Sequence, residues 1–271
     1  MGGVVLVAAV ILARGSIGNW YGRAVRTAAK VLPAAAVVAP GRVIRQSEVD
    51  AILSGVRLTE MSSTTVYQQM VFYARGGMEM SELVALALGA SEADAGSRKR
   101  AAETAEIGTR TVHQQKAVYL EGMVVLLALA ARASGASAAE VDSILSQMRV
   151  NDIGTDTVHQ QCANYCDGSL NFAAMIATST GASSSETALV MAEARTADIG
   201  ARNVYQQIVG RLTGAVRMLA LAAKARGASG PAVENVLSEM RVADIGANTV
   251  FQQEVGRLAA IIKLLGLLAL A

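Results

Sequence analysis

Apolar residues recur along this chain at three- and four-residue spacing, the period of an amphipathic helix. From Val141 the stripe continues through Ile144, Leu145 and Met148. A capping pair, Ser137 with Glu140, opens this helix, and Gly154 provides a permissive stop. A longer helical pattern then begins at Thr157, whose partner three residues on is Gln160, and runs to Gly181. The same two-helix pattern returns along the chain. The tetrapeptide Val-(Tyr/His/Phe)-Gln-Gln stands at Val66, Val112, Val158, Val204 and Val250, 46 residues apart each time. Ile-Gly at Ile107, Ile153, Ile199 and Ile245, and Gly-Ala-Ser at Gly89, Gly135, Gly181 and Gly227, keep the same phase. The second-helix caps are Thr65/Gln68, Thr111/Gln114, Thr157/Gln160, Asn203/Gln206 and Thr249/Gln252.

The sequence therefore predicts an all-α chain of tandem helical hairpins, each 46 residues long, forming one helical-repeat domain over 1–271. About six units are expected, at 1–44, 45–90, 91–136, 137–182, 183–228 and 229–271. The first is degenerate. Tyr21 aligns with Tyr67, and Leu6, Val7 and Val10 align with Ile52, Leu53 and Val56, but Pro33 and Pro40 interrupt its second helix. Open solenoid and closed α/α ring both satisfy this pattern, and its residues match no familiar helical-repeat signature.

Composition agrees with closely packed helices: 52% of residues are hydrophobic, with few aromatics and three prolines. A net charge of +2 creates no field that would by itself recruit nucleic acid or an anionic membrane, so no nucleic-acid partner is expected. Cys162 and Cys166 lie four apart on one helix, a poor geometry for a disulfide, which favours a reducing compartment. The apolar run from Val4 to Ala13 has no preceding basic residue and is too short to span a bilayer, so a cytoplasmic location is expected.

Several recurring columns bear on function. The first Gln of each pair is a capping residue. The acids Glu60, Glu106, Asp152, Asp198 and Asp244 follow Arg57, Glu103, Arg149, Arg195 and Arg241 by three residues and are expected to form local or inter-unit ion pairs. The second Gln column, Gln69, Gln115, Gln161, Gln207 and Gln253, has no capping role. It shares a helical stripe with Tyr73, Tyr119, Tyr165, Arg211 and Arg257, and with Gly76, Gly122, Gly168, Gly214 and Ala260. That stripe is expected to be a hydrogen-bonded seam between stacked units; its alternative is a polar groove or lumen.

The column Tyr67, His113, His159, Tyr205 and Phe251 reads as core, since Phe replaces His and Tyr in it. A metal site from His113, His159, Cys162 and Cys166 is disfavoured because the spacing is no zinc signature and Cys162 aligns with Met70, Lys116, Ile208 and Glu254. Arg98 and Lys99 place charge where other units put apolar residues, and with Arg100 they form a basic cluster, which predicts an exposed, frayed or shifted helix rather than an acidic-partner site. Glu121 and Asp167 are the nearest candidates for paired catalytic acids but align with Arg75 and Thr213; no catalytic motif, metal or cofactor site is expected.

Both ends of the chain are apolar, and the last helix from Leu258 to Ala271 is broken only by Lys263. A membrane span is disfavoured by that lysine and by length. The expected function is thus a structural, self-assembling protein in which Leu6, Val10, Leu264, Leu267 and Leu268 pack against each other or against neighbouring subunits of a homo-oligomer. A solenoid module binding protein, peptide or apolar ligand is the alternative, and an α/α-toroid enzyme a third.

Overall fold

A computed structural model of the protein describes residues 40–155 and 157–271. These residues form ten helices and no strand. In chain order they are α1 (Gln46–Ser62), α2 (Val66–Ala87), α3 (Glu92–Glu106), α4 (Val112–Ala133), α5 (Ala138–Ile153), α6 (Val158–Ser179), α7 (Ser184–Gly200), α8 (Val204–Arg226), α9 (Gly230–Ile245) and α10 (Val250–Leu270). The degenerate first unit, with Leu6 and Val10, lies outside the described residues.

The even-numbered helices begin where the sequence places their caps. Thr65, Thr111, Thr157, Asn203 and Thr249 each accept the backbone N–H three residues on. The Gln partners reach back, in several units to the amide one residue before the cap, as with Thr64, Arg110, Arg202 and Asn248. Thr157→Ala should therefore cost about 1 kcal/mol, measurable by urea denaturation; an unchanged midpoint would remove the cap from this account. These helices end on Gly89, Gly135, Gly181 and Gly227, all at positive φ of 98–107°, where a side chain would be strained.

Two local expectations change. The Ser137 side chain makes no capping bond, so the exposed α5 start is held by backbone bonds such as Val141 N–H to Ser137 O. Gly154 does follow α5, but at φ −88°, so its left-handed freedom is unused.

Each short odd-numbered helix buries a narrow stripe against the long helix that follows it. The stripe is Val49 and Val56 in α1, Ala95 and Ala102 in α3, Val141 and Met148 in α5, Thr187, Val190 and Ala194 in α7, and Val233 and Val236 in α9. Helix α3 keeps this register despite its charges. Its Lys99 bonds Glu82 of α2 at 3.0 Å, while Arg98 and Arg100 stay exposed. The contact with the long helix is close because glycine stands there. A Cβ on Gly122 would lie 2.9 Å from Ala102 Cβ, and one on Gly214 2.8 Å from Ala194 Cβ.

The long helices make the core. α2 packs on α4, α4 on α6, α6 on α8, α8 on α10, and α10 on α2. The glycine column records the same order, since Gly122, Gly168 and Gly214 also face Met78, Val124 and Leu170 of the preceding long helix. At Gly76 that place is taken by Ile262 of α10. Helix α10 touches α1, α2, α8 and α9, which explains its apolar circumference.

Leu264 and Leu268 are consequently buried inside the protein, and Leu267 is half-buried against the same core. Of the two partners expected for these leucines, the chain's own helices rather than a neighbouring subunit cover them, so they are not an assembly surface.

Candidate functional site

The first two turns of the long helices bring their most distinctive side chains together. Tyr67, His113, His159, Tyr205 and Phe251, each the second residue of its helix, meet edge to face in the circuit Tyr67–His113–His159–Tyr205–Phe251–Tyr67. Ring centroids lie 4.7–5.1 Å apart, the range in which edge-on aromatic contacts are favourable. The rings are half-buried.

One turn further on, Met70, Lys116, Cys162, Ile208 and Glu254 are all buried. Lys116 Nζ bonds Glu254 Oε1 at 2.8 Å with the two side chains 2% and 1% exposed, joining α4 to α10 across 138 residues. Burial alone would lower the Lys116 pKa, but the Glu254 carboxylate outweighs it and holds the ammonium above its ordinary value. Burial pushes the Cys162 thiol up to about 12 and raises Cys166 as well. Both cysteines are free, and as protonated thiols they are poor nucleophiles and poor metal ligands. Among the described residues no three His, Cys, Asp or Glu side chains converge as a metal site.

Burial also lowers the pKa of His113 and His159, with Lys116 pushing both the same way, His113 acting on His159, and Glu254 partly opposing on His113. His159 Nδ1 is buried with no hydrogen-bond partner. Folded histidines that resist protonation contribute stability fully above their ordinary value of 6.5. Below it the unfolded chain takes up protons first, so stability falls until the pH passes the depressed folded values. The melting temperature should accordingly decline from pH 6.5 downward, and His113→Tyr with His159→Tyr should flatten that decline; an equal slope in the double variant would contradict it.

The second Gln column and its stripe lie against the short helix of the same unit. Tyr73 donates to Glu60 at 2.6 Å, Tyr165 to Asp152 at 2.9 Å, and Arg211 and Arg257 pair with Asp198 and Asp244. Gln115 donates to Glu106 at 3.0 Å, and burial, then Glu106, raises the pKa of neighbouring Tyr119. Gln69, Gln161, Gln207 and Gln253 are half-buried at the same level. The acidic column thus clasps the long helix of its own unit: the expected local ion pairs form at Asp198 and Asp244, while Glu60, Glu106 and Asp152 accept hydrogen bonds from Tyr73, Gln115 and Tyr165 instead. Only the arginines also reach the preceding unit: Arg211 Nη1 donates to Ala163 O at 2.7 Å and Arg257 Nε to Thr213 Oγ1 at 2.7 Å. Glu121 and Asp167 face this outer layer too, near Arg149 and Arg211 respectively. They form no acid pair.

The C-terminal ends of the short helices carry Met61, Ile107, Ile153, Ile199 and Ile245, 80–88% exposed. Their recurrence was legible in the Ile-Gly phase, but their exposure was not. At the opposite ends of the helices a cavity of about 330 Å³ is lined by Ala87, Leu88, Ser134, Ser179, Thr180 and Arg226, with Gly41 beside them. Its hydroxyls are spent internally. Ser134, Ser179 and Thr180 bond their own helix carbonyls, and the two serine oxygens lie 2.6 Å apart.

No family model, curated protein or solved structure matches this chain.

Proposed function

We propose that this protein is a structural, non-catalytic scaffold, a closed α/α ring of 46-residue hairpins that acts by docking through its outside. The observation that carries the ring is the register of its closing step. Ile262 meets Gly76 as Met78 meets Gly122, Val124 meets Gly168 and Leu170 meets Gly214. The five-way aromatic circuit and the Lys116–Glu254 pair across the axis agree with it. A ring whose inner positions are filled by Leu120, Met123, Leu127, Ile176, Leu212 and Leu264 has no lumen for substrate. Its terminal helix needs no neighbouring subunit, so any partner or second copy engages the outer face. The two free thiols suit a reducing compartment such as the cytoplasm.

Spin-label distances test closure directly on the full chain. Labels at Met61→Cys with Ile245→Cys, the pair across the closing step, should be as far apart as labels at Ile107→Cys with Ile153→Cys; the buried native cysteines stay unlabelled. A much longer distance for the first pair would mean an open solenoid. Light scattering should then report a compact particle rather than a concentration-dependent polymer.

A further inference from the structure

The rim at the start of the long helices has a composition the core does not require. Beside the five exposed residues from Met61 to Ile245, Leu58, Val150 and Val242 are 63–69% exposed three residues earlier on their helices. Apolar surface repeated around one face marks an interaction site. The charges between these residues decide its partner. Arg57, Arg110, Arg149 and Arg202 are exposed there and close no ion pair within 4.0 Å among the described residues, Arg149 having the exposed Glu121 in its neighbourhood. The acids of the same level, Glu60, Glu106, Asp152, Asp198 and Asp244, are half-buried and turned toward the long helices by their clasps, and Glu103, which stands in the arginine column, is half-buried too and lies near Arg75. Across the connecting turns the sequence offers Arg110 and Arg202 against a single acid, Asp156. The net charge of +2 conceals this sorting.

We propose that this rim docks on an anionic lipid surface. Aliphatic side chains at the ends of the short helices enter the boundary between headgroups and acyl chains, and arginines beside them reach lipid phosphates while their stems stay in the apolar layer. The docking is peripheral: no helix among the described residues is long and apolar enough to cross a membrane. A second copy of the same rim would set guanidinium against guanidinium with the acids already engaged. The inference rests on the ring reading, which puts the five turns at one level; the spin-label distances above report on that reading separately.

The test is flotation of the full-length protein with vesicles of phosphatidylcholine alone or mixed with phosphatidylserine. Binding to the mixed vesicles should exceed binding to the neutral ones by about tenfold or more and weaken with salt. Two variants, Ile153→Ser/Ile199→Ser/Ile245→Ser and Arg110→Gln/Arg149→Gln/Arg202→Gln, should each reduce it by about tenfold at unchanged melting temperature, since all six side chains are exposed. Equal flotation with both vesicle types, or rim variants that bind like the parent, would overturn the proposal. So would a dimer in light scattering that the isoleucine variant makes monomeric, because the rim would then be an interface between copies.

Discussion

Lys116→Met should destabilise the protein by about 3–5 kcal/mol, because it leaves the Glu254 carboxylate buried with no counter-charge. Lys116 and Glu254 are 2% and 1% exposed, so water cannot take over the lost bond. Adding Glu254→Met to the first substitution should recover most or all of the loss, since Met70 already occupies the same level of the core and the pair's desolvation cost disappears with the pair. Urea denaturation of the parent, both single variants and the double variant gives the complete cycle. A single variant within about 1 kcal/mol of the parent would mean that the two side chains are hydrated. A double variant as unstable as the singles would instead assign the effect to shape rather than charge.

Leu264→Asp should cost more than about 4 kcal/mol and abolish soluble folded protein, whereas Leu267→Asp should be tolerated far better. Leu264 is fully buried in α10 and Leu267 is half-buried beside it, so the carboxylate keeps access to water at the second position alone. Expression yield and circular dichroism of the two variants would separate them. Equal behaviour would mean that α10 does not sit in the core as described.

How much of this was legible in the sequence depends on whether the signal was local. The caps at Thr65 to Thr249 and the stops at Gly89 to Gly227 are decided by a few consecutive residues, and the helices begin and end there. The partners of the acidic column are not local. Arg149 lies one helical turn from Asp152, yet Tyr165 and Asn164 take the carboxylate because α6 packs against α5 at that level.

The axial column was the largest loss. Met70, Lys116, Cys162, Ile208 and Glu254 look chemically unrelated when read as one position repeated, because each is matched to another unit rather than to the repeat. Opposite charges at the same phase, Lys116 and Glu254, were the available sign that distant units meet. The partner of the apolar C-terminal helix was open between the chain's own N-terminal part and a neighbouring subunit for a related reason: its neighbours α1 and α2 stand some 180 residues earlier in the chain and leave no trace in its own pattern.

The α10–α2 contact also sets the order in which the protein can assemble itself. Packing of α2 on α4, or of α6 on α8, joins neighbouring hairpins and closes a short stretch of chain, but packing Ile262 on Gly76 closes nearly the whole described length. The entropy lost in bringing two chain segments together grows with the length between them, and contacts of high sequence separation form late. The four sequential interfaces can therefore form while the fifth is still open. A folding intermediate of this kind exposes one face of α10 and one of α2, both built to bind a long helix, and at high concentration each can be filled by another chain instead. Refolding yield should fall with protein concentration more steeply than it would for a helical protein of the same size that packs only neighbouring hairpins on each other.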